Sequence, residues 1–135
     1  MYMNILVPVS FDEERDARQA IDVALKLAGE GAHITLLHVV EQVPSYATTF
    51  ASQSYLEEAK KAVQEQLDKL AEGIANAEGV VIEGHSGRSI LDYAAEKWSD
   101  CIVIASHRPG LQDYFLGSTA AHVVRHAGCA VHVVR

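Results

Sequence analysis

Short runs of apolar, β-branched residues alternate along this chain with segments whose apolar residues recur at helical spacing. Runs this short and this apolar are typical of strands buried on both faces of a sheet. The predicted strands cover residues 3–9, 32–40, 80–83, 101–105 and 130–134.

The segments between these runs have the period of amphipathic helices. We expect Gly29 and Gly31 to end the first helix, because glycine is the usual residue just past a helix C-terminus. Residues 41–52 contain Pro, Ser and Thr without a period and are predicted to form a loop. Ser86 or Ser89 is expected to cap the third helix. Apolar residues at helical spacing lie within 17–28, 56–74, 90–98 and 117–126.

Five strands alternating with four helices predict an α/β fold. Such a pattern requires right-handed crossovers and an open parallel sheet with helices on both faces. A chain of 135 residues has the length of one ordinary domain, so residues 1–135 are expected to form a single domain.

Charge and cysteine content narrow the possible partners and location. Eleven basic residues against 18 acidic ones give a net charge of −7, which argues against a nucleic-acid partner. No apolar run reaches the roughly 20 residues of a membrane span, and the start lacks the basic region of a signal peptide. We therefore expect no membrane insertion and a cytoplasmic protein. Cys101 and Cys129 lie in apolar stretches and are expected to be reduced core residues.

A ligand of such a sheet binds beyond the carboxyl ends of the strands, where the strand order reverses. The sequence has neither a G-x-G-x-x-G fingerprint nor a P-loop there, nor a phosphoacceptor Asp after the third strand. The remaining candidate is the loop from Ser106 to the helix start at Gly117, Ser118 and Thr119. Small residues let backbone N–H groups approach a phosphate, and the two hydroxyls add donors. The alternative is that Ser118 or Thr119 merely caps the helix.

Several ordered sequence blocks make the chain resemble the universal stress protein family along essentially its whole length. Ser-His-Arg-Pro together with Leu-Gly-Ser is most similar to the small bacterial subgroup. The blocks are NILVPV (4–9), TLLHV (35–39), IVIASHRP (102–109), LGSTAA (116–121), VVRHA (123–127) and CAVHVV (129–134).

The resemblance implies a Rossmann-like, HUP-type sheet in the order 3-2-1-4-5 and an adenine-nucleotide site. The ATP-binding members carry G-x2-G-x9-G-[ST] after the fourth strand, and Gly117-Ser118 fits its last pair. With Ser106-His107 aligned to the family's Ser-His, Ala105 and Arg108 stand where the family has its first two glycines; counting nine residues back from Gly117 puts His107 and Ile104 there instead. Ser10 stands where an Asp often contacts the ribose.

The residues that the resemblance assigns to the nucleotide come from the ends of three strands and one helix. Val9, Val39 and Ile104 would form the adenine slot, beside Pro8, Ser10 and Ala105. Arg108 could replace lost backbone donors with a bidentate phosphate contact. The implied phosphate group is Ser106, His107, Arg108, Gly117, Ser118 and Thr119. The implied ligand is ATP or AMP, with Mg²⁺ as an optional companion of the phosphates.

The favoured function is an adenine-nucleotide-binding regulatory protein of the stress response, with an unknown regulatory partner. The first alternative is a nucleotide-free stress protein that acts through protein contact; a slow ATPase is less favoured. No catalytic residue is assigned. His122 and His126 have the spacing of a metal pair, but no third ligand accompanies them, so no metal site is expected. An apolar final strand at a sheet edge invites pairing, so a homodimer through residues 130–135 is expected, as the family commonly forms.

Overall fold

Strands and helices alternate strictly from one end of the described chain to the other. The computed structural model describes residues 1–11, 14–41, 50–106 and 116–135. The elements are β1 (Tyr2–Pro8), α1 (Glu14–Leu27), β2 (Ala28–Val40), α2 (Phe50–Ala71), β3 (Ala77–Glu83), α3 (Ser86–Glu96), β4 (Cys101–Ala105), α4 (Ser118–His126) and β5 (Ala130–Val134).

All five strands form one parallel sheet in the order β3-β2-β1-β4-β5. This confirms the predicted fold class and strand order. Leu6 of β1 pairs with Thr35 of β2 on one side and with Ile102 of β4 on the other. From β1 the chain goes on to β2, and from β4 it goes on to β5, on the opposite side. The strand order therefore reverses between β1 and β4, which is where a ligand crevice opens in folds of this type.

Apolar side chains cover both faces of the sheet. Ile5 and Val7 of β1 point to the face covered by α1 and by Leu67 of α2, all three side chains being fully buried. Leu6 points to the other face, where α3 and α4 pack with Ile90 and the fully buried Val123. Successive side chains of a strand point to opposite faces of the sheet. Because both faces are buried, the strands are continuous apolar runs in the sequence.

The first helix ends earlier than expected, and the prediction for its two glycines is wrong. α1 ends at Leu27, and Gly29 and Gly31 lie inside β2. A Cβ on Gly29 would lie 2.7 Å from the sulfur of Met3, so a side chain there would require Met3 to move. Gly31 has a φ of +77°, where glycine is favoured, next to a shift in the β1–β2 register. These glycines serve the strand pairing, whereas sequence alone makes them look like a helix end.

α2 and β3 also have bounds that differ from the predicted ones. α2 begins at Phe50, inside the predicted loop, and ends at Ala71, before Ile74. β3 begins at Ala77 because it pairs with β2 from Ile34 onward. The predicted loop residues 42–49 lie outside the described part of the chain.

The only tryptophan of the sequence, Trp98, follows α3 and has a left-handed backbone. Its φ is +57° and its side chain is 85% exposed. The Trp98 carbonyl accepts a hydrogen bond from the Asn4 side chain at 3.2 Å, and the Lys97 carbonyl accepts another at 2.6 Å. These bonds hold the turn before β4 at the amino edge of the sheet, which leaves the indole in solvent.

Candidate functional site

The carboxyl edge between β1 and β4 brings together most of the described residues predicted for the site. β1 ends at Pro8 and is followed by Val9 and Ser10. β4 ends with Ile104 and Ala105 and is followed by Ser106. The register Leu6↔Ile102 sets these two ends side by side. Val39 lies near the end of β2, the other neighbour of β1.

Ser106 lies at the end of β4 with both of its donors already used. Its N–H donates to the Val134 carbonyl at 2.8 Å, and its Oγ–H donates to the same oxygen at 3.2 Å. Its side chain is buried. The Ser106 hydroxyl proton is therefore committed to β5, which makes Ser106 a structural support of the edge more than a free donor to a phosphate.

The N-terminus of α4 starts at Gly117, directly beside Ser106. A Cβ built on Gly117 would lie 3.7 Å from the Ser106 carbonyl oxygen, so the helix start and the end of β4 are in contact distance. Gly117 is the N-cap residue, and a glycine has no side chain that could accept from the N–H groups of the first turn. The alternative prediction that Ser118 or Thr119 caps α4 is therefore wrong. The backbone N–H groups of the first turn have no acceptor within the helix itself and face the edge with the positive end of its dipole.

His38 and Phe11 support the end of β1. The Val9 N–H donates to the Leu37 carbonyl at 2.7 Å, and the Val9 carbonyl lies 2.7 Å from Nδ1 of His38. The rings of His38 and Phe11 pack with their centroids 5.2 Å apart. His38 and its partner are 29 residues apart in the chain, so no local sequence pattern indicates this contact.

Glu41 connects the end of β2 to the start of α3. Its Oε1 accepts hydrogen bonds from Ser86 Oγ at 2.8 Å and from Ser86 N–H at 3.4 Å. These bonds, the hydroxyl first and then the amide, hold the pKa of the Glu41 carboxyl below its ordinary value. The N-cap residue of α3 is His85, without a side-chain cap, so the prediction of a Ser86 or Ser89 cap is wrong. The carboxylate that stabilises this helix start comes from 45 residues earlier.

Two predicted phosphate contacts, His107 and Arg108, lie outside the described residues. Of the others in that group, Gly117 and Thr119 are half-buried and Ser118 is exposed. Val39 and Ile104 pack into the same apolar cluster under α3 and α4, while Val9 belongs to the cluster on the other face. An apolar wall and a helix N-terminus thus meet at one edge.

The described part of the chain has neither a metal-ligand cluster nor a membrane-spanning helix. No group of three or more His, Cys, Asp or Glu side chains there could hold a metal ion. His122 and His126 pack ring against ring with centroids 4.6 Å apart. In the same residues, no helix combines the length and apolarity that a bilayer crossing needs. Cys101 and Cys129 are both free thiols.

An open parallel sheet with a helix N-terminus at its switch point defines a Rossmann-like α/β protein. The family model described as "Universal stress protein family" matches residues 1–135. The chain belongs to this family, which confirms the resemblance carried by its sequence blocks. Members of the family are mostly regulatory and without catalysis, and no activity is established for this chain.

Individual relatives cover nearly the whole chain. Universal stress protein A homolog 2 of Coxiella burnetii is 34% identical over 143 residues, covering 99% of this chain and 95% of the relative. The solved structure of universal stress protein UspA from Lactobacillus plantarum has a TM-score of 0.73 at 31% identity, with coverage of 99% and 98%.

Two further structures with the same fold were solved with adenine nucleotides. The universal stress protein from Archaeoglobus fulgidus in complex with dAMP has a TM-score of 0.68 at 22% identity, covering 99% of this chain and 98% of its own. A universal stress protein in complex with cAMP has a TM-score of 0.72 at 18% identity, with coverage of 99% and 97%.

Proposed function

We propose that this chain is a regulatory protein of the stress response that binds an adenine nucleotide, ATP or AMP, without turning it over. The ligand would lie along the edge formed by the ends of β1 and β4 and the start of α4. The observation that carries the proposal is the start of α4: its N-cap is a glycine, which has no capping side chain of its own, and it lies beside Ser106. A helix N-terminus with free N–H groups is a ready anion site.

The backbone of Val39 offers a place for the base. Backbone groups of successive strand residues point alternately to the two neighbouring strands. The Leu37 carbonyl faces β1, where it accepts from Val9, and the Val40 carbonyl faces β3, where it accepts from Gly84. The N–H and carbonyl of Val39 therefore face the β1 side, just past the last backbone bond between β1 and β2. A donor next to an acceptor fits adenine, whose N1 accepts and whose 6-amino group donates.

The proposed phosphate contacts come from the first turn of α4. The backbone N–H groups after Gly117 and the hydroxyls of Ser118 and Thr119 would bind the phosphate oxygens. His107 and Arg108 join them in the proposal on the strength of the family resemblance. Ser106 is assigned to supporting the edge, because both of its donors go to Val134.

The relatives solved with dAMP and with cAMP support an adenine nucleotide as the ligand class.

We also propose a homodimer through β5, since this strand is the outer strand on its side of the sheet and leaves one row of backbone groups open.

A nucleotide-free protein that works through protein contact is the rival function. The observation in its favour is that fewer groups are available to hydrogen-bond a nucleotide than in the nucleotide-binding members. Ala105, Arg108 and Ser10 replace two glycines and a carboxylate of the nucleotide-binding members, and the Ser106 hydroxyl is committed to Val134. Fewer backbone and carboxylate contacts would weaken binding.

The first test asks whether the protein carries nucleotide. The protein is purified without added nucleotide and denatured, and the released small molecules are chromatographed. ATP, ADP or AMP near one per chain supports the proposal. An empty protein is then titrated with ATP, with and without Mg²⁺, because weak ligands are lost in purification. No binding in either experiment would support the rival.

A matched pair of charge variants locates the ligand. Gly117→Glu places a carboxylate at the phosphate position, and Gly117 has an ordinary φ of −61°, so the fold should tolerate it. Gly128→Glu adds the same charge before β5, where a Cβ meets nothing within 4 Å. We expect Gly117→Glu to lower nucleotide affinity by at least about tenfold, through repulsion between its carboxylate and the phosphate. Gly128→Glu should bind like the unaltered protein.

A further inference from the structure

The backbone pairing of β1 with β2 stops before β2 itself ends at Val40. Val9 N–H to the Leu37 carbonyl, at 2.7 Å, is its last bond. In a regular parallel pair, the next bond would run from the Val39 N–H to the Val9 carbonyl. Within the described residues that bond is absent, and so is the following one, from Phe11 N–H to the Val39 carbonyl.

A side chain takes the place of the missing bond. The Val9 carbonyl lies 2.7 Å from His38 Nδ1. A carbonyl oxygen accepts and cannot donate, so Nδ1 carries the proton. Phe11 packs on the imidazole ring at 5.2 Å between centroids and fixes its position. His38 thus donates to the same oxygen that would accept from Val39 in a regular pair, and draws that oxygen toward its own ring.

We propose that His38 is a positioning residue that keeps the base-reading groups of Val39 open. By holding the Val9 carbonyl, His38 prevents further backbone hydrogen bonds between the chain after β1 and the end of β2. The Val39 N–H and carbonyl then stay available to a base with an acceptor beside an amino group. This arrangement favours adenine over guanine, which presents an acceptor and a donor in the opposite order. The inference rests on the proposed nucleotide function and explains what the same site would select.

The test compares variants that keep or remove the donor. His38→Asn places its Nδ2–H near the position of Nδ1–H and keeps the donor. His38→Leu and His38→Phe remove it, and the phenylalanine retains a ring against Phe11. Urea unfolding followed by far-UV circular dichroism identifies which variants are folded. If one donor-free variant does not fold, the other is used.

Two measurements are made on each folded variant. The first is hydrogen exchange of the Val39 amide, measured by NMR on the nucleotide-free protein. The second is the affinity for ATP and for GTP, measured by titration calorimetry. In the donor-free variants we expect Val39 exchange to slow about tenfold, as its N–H pairs with Val9. We also expect ATP affinity to fall about tenfold and the preference for ATP over GTP to shrink. His38→Asn should match the unaltered protein in both.

The outcomes separate this inference from the function on which it rests. Unchanged Val39 exchange in the donor-free variants would overturn the positioning role, whatever the affinities. Slowed exchange with an unchanged ratio of ATP to GTP affinity would overturn the selection of adenine. If the unaltered protein binds neither nucleotide, the proposed function fails, and the exchange data still decide whether His38 holds the strands apart.

Discussion

Glu41 Oε1 and Ser86 Oγ lie 2.8 Å apart and join the end of β2 to the first residue of α3. The carboxylate also accepts the Ser86 N–H, so it serves the helix start as a capping side chain would. This contact lies at the carboxyl edge, on the side of β2 away from β4. It therefore fixes the outer part of the edge where the ligand is proposed to bind.

The Glu41–Ser86 contact predicts a pH-dependent contribution to stability. The folded pKa of Glu41 lies below its ordinary value of 4.5, so its contribution is fully present above that value. It is lost as the pH falls through the lowered folded pKa. We expect Ser86→Ala to unfold at a lower urea concentration than the unaltered protein at pH 7. The difference should shrink as the pH is lowered below about 4.5.

The control for this experiment is Ser54→Ala, which removes an exposed hydroxyl from α2. Its difference from the unaltered protein should be small at every pH. A Ser86→Ala difference that stays constant through the acidic range would contradict a role for the Glu41 carboxylate.

Gly79 lets α2 pack directly on β3. A Cβ at this position would lie 2.5 Å from the Cβ of the fully buried Leu67 and 3.2 Å from its backbone carbon. We expect Gly79→Ala to destabilise the protein by about 1–3 kcal/mol, because the neighbouring atoms belong to a helix backbone that cannot move freely. Gly128→Ala is the matched control, since a Cβ there meets nothing within 4 Å. Urea unfolding by circular dichroism measures both; equal midpoints for the two variants would contradict the packing argument.

Asp100 holds the start of β1 to the start of β4. Its carboxylate accepts the Met3 N–H at 2.9 Å and the Asn4 N–H at 3.0 Å, and its own N–H donates to the Asn4 carbonyl at 2.9 Å. We expect Asp100→Ala to cost about 1–3 kcal/mol, because two charge-assisted bonds are lost. Asp100→Asn keeps one acceptor and should fall between. Asp92→Ala, an exposed carboxylate on α3, is the control, and a loss as large as that of Asp100→Ala would refute a specific role of the bonds.

The two thiols should differ in reactivity. Burial raises the pKa of Cys101 from 9.0 to about 11, and its side chain is 1% exposed. Burial also raises the pKa of Cys129, which is half-buried. With a disulfide reagent such as Ellman's reagent at pH 8, we expect one thiol of the native protein to react and the second to react after unfolding in guanidinium. Cys129→Ser should then show almost no reaction in the native state. Fast reaction of native Cys129→Ser would show that Cys101 is accessible.

The sequence predicted the elements that depend on local pattern. The apolar run from Cys101 to Ala105 and the final run from Ala130 to Val134 are strands with the predicted bounds. Their period and β-branched content act within a few residues, so local reasoning suffices. The strand order needed the family resemblance, because periodicity does not say which strands are neighbours.

The sequence could not predict contacts that the fold alone brings together. Gly29 follows a helical segment and so resembles a helix end, but it lies inside β2, next to Met3 of β1, which is 26 positions earlier. Ser86 and Ser89, in the first turn of α3, resemble capping residues, but the acceptor at this helix start is the carboxylate of Glu41. Gly117, Ser118 and Thr119 lie at a helix start as predicted, and their role toward a nucleotide stays a prediction.

The exposed indole of Trp98 determines which spectroscopic signals will be useful for this protein. A tryptophan already surrounded by water emits at nearly the same wavelength before and after denaturation. Emission maxima will therefore be poor reporters of unfolding. The same ring sits at the amino edge of the sheet, opposite the carboxyl edge where the ligand is proposed to bind. Its quenching by iodide should consequently be insensitive to nucleotide, which makes Trp98 an internal reference for optical titrations.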